Sequence, residues 1–245
     1  MWYLPYLRVK RAMRAYGLTI GIITLIAIAL KFTSIPGPHS AHDPHFAERI
    51  HFDIVNIVMG SALIVAFLAS ILGLNLASEN DGHLELAWTK PVSREQYALT
   101  IFTVDAVAIV IALLATIFCG VLISDVWIGH QAVEVSGSSG WEDVLAILFP
   151  INIYAWIVAL TASQKRNRGG FVGMFWPAAF MLAALPQIPV DLVQRISRVI
   201  DYVNPIVLFT KNSRQQPTIA SYEIAFVMTV VLLVVAIAQW RRLEA

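Results

Sequence analysis

An all-α membrane protein of six transmembrane helices is the fold class this sequence predicts, and three observations predict it. Of its 245 residues, 58% are hydrophobic and 13% charged. That is about half the charge of an ordinary soluble domain, and the mean hydropathy is +0.71. Apolar stretches near membrane-crossing length recur between polar segments. Lys and Arg then gather in alternate segments. A net charge of +1 gives no reason to expect a nucleic-acid partner. The lone Cys119 lies in an apolar run, so neither an internal disulfide nor a cysteine metal site is expected. No cleavable signal peptide is expected, because a basic segment leads into an apolar span without a credible cleavage site.

Taken in order, residues 1–16 interleave Trp2, Tyr3, Tyr6 and Tyr16 with Arg8, Lys10, Arg11 and Arg14. This predicts an interfacial helix, its rings at headgroup depth and its cations toward cytoplasm and anionic membrane lipid. Nucleic-acid binding uses a similar mixture, but a position directly before a span favours the membrane surface. Residues 17–32 make a first span, short enough to borrow residues from the helix before it. Residues 33–51 are rich in Pro, Gly and His, and 52–78 form a second span long enough to cross with tilt. After the polar stretch 79–97 come a third span at 98–124 and a polar loop at 125–143. A fourth span, 144–163, carries Pro150 and Asn152. The basic turn QKRNRGG leads to a fifth at 171–188, bent or broken by Pro177 and Pro186.

Residues 190–203 place Leu192, Val193, Ile196, Val199, Ile200 and Val203 at helical spacing among Asp191, Arg195 and Arg198. They predict an amphipathic outer helix before the sixth span, 222–240. A further crossing here is disfavoured, since each charge costs about 2.5–3.5 kcal/mol at mid-membrane on the insertion scale. The whole chain, 1–245, reads as one transmembrane domain. With the N-terminus inside, eleven of the 17 Lys and Arg fall on the inner side: Arg8, Lys10, Arg11, Arg14, Lys90, Arg94, Lys165, Arg166, Arg168, Arg241 and Arg242. Both termini and residues 79–97 are therefore expected in the cytoplasm.

The stretch ENDGHLELAWTKPVSREQY has its own signature. Gly82 can open a short helix with Leu84, Ala87 and Trp88 on one face. Pro91 disfavours helical geometry before it, ending that helix near Lys90. Ser93 with Gln96 can cap the next helix. Glu79, Gly82, Leu84-Glu85-Leu86 and Pro91-Val92-Ser93-Arg94 resemble the segment after the second transmembrane helix of type-2 ABC exporter permeases, although His83 stands where that family often has a small hydroxylated residue. The resemblance implies a coupling helix docked on a separate ATP-binding subunit. It implies Glu79, Gly82, Leu84, Glu85, Leu86, Trp88, Lys90, Pro91 and Arg94 as docking residues. It also implies two ATP-binding subunits, carrying ATP and Mg, and a second permease copy or paralogue in a cell membrane, expected to be a bacterial inner membrane. Asn204-Pro205 near the outer helix is similar to the same family.

Other residues bear on chemistry. His39, His42, His45 and His51 crowd one outer loop with Asp43 and Glu48. They are weak candidates for a metal, because no spacing fits a standard site and a solvated loop explains them equally. Asp105, about seven residues into the third span, is a candidate pathway residue, or a carboxylate reaching inner water or a cation there. Asn152 lines a pathway or bridges helices, as do Asn56 and Asn75. Asp53 reads as a solvated helix-start residue. Gly60-Ser61 and Gly169-Gly170 suit close packing and a tight turn. No phosphate loop of the G-x-x-x-x-G-K-[ST] type occurs, so ATP hydrolysis is expected in a partner and the chain is not expected to be an enzyme. The expected function is a permease subunit of an ATP-driven exporter. The alternatives are an ion-coupled carrier or channel using Asp105, and a non-transporting sensor or scaffold using the histidine loop.

Overall fold

A computed structural model describes residues 3–33, 54–79, 94–128, 141–162, 164, 167–185, 188, 190–200, 204–206 and 219–242. Among them are seven helices and no strand: α1 (Tyr3–Thr33), α2 (Ile54–Glu79), α3 (Arg94–Ile128), α4 (Trp141–Thr161), α5 (Arg168–Ala184), α6 (Asp191–Ile200) and α7 (Ile219–Arg242). The all-helical class predicted from composition is observed. Three stretches, Val9–Leu30, Ile57–Asn75 and Gln96–Ser124, are long and apolar enough to cross a membrane, and Ile147–Thr161 and Glu223–Gln239 are shorter apolar helices.

The N-terminal segment and the first predicted span form one unbroken helix. Sequence accounts for this continuity. Pro5 sits in the first turn, where a missing N–H costs nothing, and Gly17 and Gly21 each cost about 1 kcal/mol, too little to end a helix of 31 residues. Away from α3, α1 presents bare apolar side chains. Leu18 and Leu25 are each 68% exposed, so no other described residue covers that face.

The core lies among α2, α3 and α4, where Ala62, Ala66 and Ala69 of α2 are fully buried beside Ile153 and Ile157 of α4. Small side chains let helix backbones approach, the packing device available where apolar surface alone gives no preference. Gly73 and Gly120 extend it. A Cβ on Gly73 would lie 3.0 Å from the Ile157 side chain, and one on Gly120 only 2.7 Å from that of Ile57. Gly60, expected at a close contact, has open space around its Cβ position, although its neighbour Ser61 is buried. Gly169 and Gly170 lie in the first turn of α5. The turn before them is made by Asn167, in the left-handed region at φ 60°, which Asn tolerates better than most residues. Gly120→Leu should therefore overpack the α2–α3 seam and lower stability by about 1–3 kcal/mol. Gly60→Ala should be neutral or mildly stabilising. Thermal unfolding in detergent compares the two.

Helix directions follow from pairs of contacts. Tyr16 of α1 meets Thr116 of α3, while residues near Lys10 lie beside Val104 to Ile111, so these two helices run the same way. Ile57 of α2 is level with Gly120, and Gly73 of α2 and Asp105 of α3 both meet Tyr154, so α2 runs opposite to α3. The start of α1, the end of α2 and the start of α3 consequently share one end of the bundle. α4 and α7 run side by side in one direction: Asn152 meets Ala225 and Thr229, and Ala155 and Ala159 pack with Leu232.

Candidate functional site

Asp105 is the centre of the candidate site. It lies eleven residues into α3, about 16 Å along the axis, and is 0% exposed. Its neighbours Ile101, Phe102 and Ile109 are buried apolar side chains. A carboxylate in such surroundings is costly unless hydrogen-bonded. Tyr154 of α4 supplies a bond, its hydroxyl donating to Asp105 Oδ2 at 2.6 Å, a length typical of a charge-assisted O–H···O contact. The phenol is itself buried, and its ring meets Phe102 edge-on with centroids 6.2 Å apart. Gly73 of α2 packs on the backbone of α4 at this level, its Cβ position 3.4 Å from the Tyr154 carbonyl oxygen.

Two helices thus meet at one carboxyl and one phenol, and a third, α2, packs on the backbone that carries the phenol. Chemically, the pair can lock α3 to α4, or hold and release a proton within the bundle. The sequence indicated Asp105 as an intramembrane charge but not its partner. A tyrosine in the middle of an apolar run was the available signal, since a buried hydroxyl needs a hydrogen bond.

Asn152, the other predicted pathway residue, faces elsewhere. It is two residues from Tyr154, or about 200° around the helix. Its amide nitrogen donates to the Ala225 carbonyl at 3.2 Å and to Thr229 Oγ1 at 3.0 Å, tying α4 to α7. The bridging role is what the geometry displays, and Asp105 and Asn152 are not brought together.

Three more polar clips join the helices. Thr116 donates its hydroxyl hydrogen to the Ala112 carbonyl at 2.7 Å, so the Tyr16 phenol is the donor in its 2.6 Å bond to Thr116 Oγ1. Trp176 of α5 donates from Nε1 to Ser70 Oγ at 3.2 Å and stacks on Phe67 at 4.2 Å. Beyond α6, the Asn204 amide donates to the Ala179 carbonyl at 2.9 Å while its Oδ1 accepts from the Ile206 N–H at 3.0 Å. This turn fastens the Asn204-Pro205 pair to α5.

Of the predicted docking residues, Glu79 is the last of α2 and Arg94 the first of α3. Gly82, Leu84, Glu85, Leu86, Trp88, Lys90 and Pro91 lie outside the described residues, as do His39, His42, His45 and His51. Among the described residues no group of three His, Cys, Asp or Glu side chains could hold a metal ion.

An all-helical bundle with three helices able to cross a membrane, fastened by buried interhelical hydrogen bonds, has the character of a membrane protein. No family model matches the chain, and no curated protein matches it either.

Proposed function

We propose that this chain is the membrane-spanning permease subunit of an ATP-driven exporter of the ABC type-2 class. The observation that carries the reading is the stretch from Glu79 to Arg94, with its Leu84-Glu85-Leu86 core and Pro91-Val92-Ser93-Arg94 ending, at the junction of α2 and α3. That junction shares an end of the bundle with the start of α1. Lys10, Arg11 and Arg14 lie on the same early stretch of α1, which supports a cytoplasmic position for both.

In this reading six helices cross the membrane, and the segment Gly82–Lys90 docks on an ATP-binding subunit. Two such subunits, carrying ATP and Mg, serve a pair of permeases, either two copies or one copy and a paralogue. Nucleotide-driven closure of those subunits pushes on the docking segment and shifts the helices between inward- and outward-open arrangements. Leu84 and Trp88 supply the apolar contact, and Glu85, Lys90 and Arg94 set its orientation. The amphipathic α6 rests at the outer surface. Its Leu192 and Ile196, i and i+4, are exposed and available to acyl chains.

Asp105 favours a second reading, an ion-coupled carrier in which the carboxyl titrates during transport. Purification from native membranes with mass spectrometry separates the two. A P-loop ATPase at equal stoichiometry supports the exporter, and a clean preparation without one supports the carrier. Orientation has its own check. In a Cys119→Ser background, a cysteine at Gln164 should react with an impermeant maleimide only after the cells are opened. One at Gln194, exposed on the face of α6 opposite Leu192 and Ile196, should react in intact cells.

A further inference from the structure

A groove of about 870 Å³ runs between α1 and α3. Its floor and far wall are apolar, formed by Val9 and Met13 of α1 and by Val107 and Ile111 of α3. Val9 is buried there. Its near rim is Tyr6, Lys10 and Arg14, spaced i, i+4, i+8 and so stacked along one stripe of α1. Lys10 Nζ sits 5.4 Å over the Tyr6 ring, a cation–π contact that holds the ammonium at the rim. No carboxylate is among the lining residues. Two cations beside an apolar trough call for a ligand that is anionic at one end and hydrocarbon at the other.

We propose that this groove binds an anionic phospholipid, with its phosphate between Lys10 and Arg14 and an acyl chain against Val107 and Ile111. Basic pockets between membrane helices are suited to such headgroups, and the volume is that of a pocket for an organic ligand rather than a bare ion. A helix from a second copy fits less well, because it would have to bring carboxylates to the rim. Among the described side chains the exposed carboxylate is Glu223, at the start of α7. The inference rests on the chain being embedded in a bilayer and not on the presence of an ATPase.

The test is native mass spectrometry of the full-length protein in detergent, equilibrated with dioleoylphosphatidylglycerol or dioleoylphosphatidylcholine. The anionic lipid should be retained at least about tenfold more strongly. Lys10→Ala with Arg14→Ala should remove that preference, and Ile111→Trp should weaken retention by filling the trough. Arg11→Ala, an exposed cation outside the lining, should leave it unchanged, as should Lys10→Arg. Unfolding temperatures of all variants establish that each is folded. Equal retention of both lipids, an Arg11→Ala effect as large as that of Lys10→Ala with Arg14→Ala, or displacement by glycerol phosphate alone would each overturn the proposal. The last outcome would mark a site for a free anion instead.

Discussion

Tyr154→Phe and Asp105→Leu, made singly, should each destabilise the purified protein, and together they should cost clearly less than their sum. Removing the phenol leaves the fully buried Asp105 without the 2.6 Å bond it accepts. Hydrogen bonds to charged groups contribute about 1.5–3 kcal/mol. Removing the carboxylate instead leaves the Tyr154 hydroxyl short of its acceptor, at about 1–3 kcal/mol. The double variant removes both ends of the bond, and apolar replacement of a buried polar pair is often close to neutral. A double-mutant cycle by chemical unfolding reads the coupling directly. Additivity within about 0.5 kcal/mol would show that the bond contributes nothing. Asp105→Asn then distinguishes anchor from proton carrier. The amide oxygen still accepts from Tyr154 but without charge assistance, so the exporter reading predicts a smaller loss of stability than Asp105→Leu gives, with unchanged ATPase activity of the assembled complex. The same stability with transport abolished would instead favour the ion-coupled reading.

The second large effect is expected at the docking segment. Trp88→Ala removes a large apolar contact of the kind that dominates protein interfaces, where truncation costs about 2 kcal/mol or more. That corresponds to roughly a thirtyfold loss of affinity for the ATP-binding subunit. Leu84→Asp places a charge in the same apolar face and should release the subunit altogether. Both variants should insert and accumulate in the membrane normally, because neither residue belongs to an apolar span. Co-purification measured against the unchanged protein gives the loss. Full recovery of the ATPase with both variants would remove Leu84 and Trp88 from the interface.

Composition made the helical class legible, since 58% hydrophobic residues in long runs leave the backbone little choice but internal hydrogen bonding in a bilayer. Individual partners were not legible. Tyr154 lies 49 residues from Asp105 and Trp176 lies 106 from Ser70; periodicity within one helix carries no information about which face meets which neighbour. Glycines show the same limit. Gly60 next to Ser61 looked like a packing motif, yet close approach occurs at Gly73, where α2 meets α4, and at Gly120, where α3 meets α2. The basic segment and the first span run on as one helix because a change from basic to apolar side chains alters the surroundings of a helix without interrupting its backbone hydrogen bonds.

The most direct measurement is photo-crosslinking from position 88 in intact membranes, with a benzophenone side chain replacing Trp88 and a control at Ile196 on α6. Position 88 should capture a P-loop ATPase, and position 196 should not. Capture from neither position, or equally from both, would contradict the assignment of residues 79–97 as the docking site for an ATP-binding subunit.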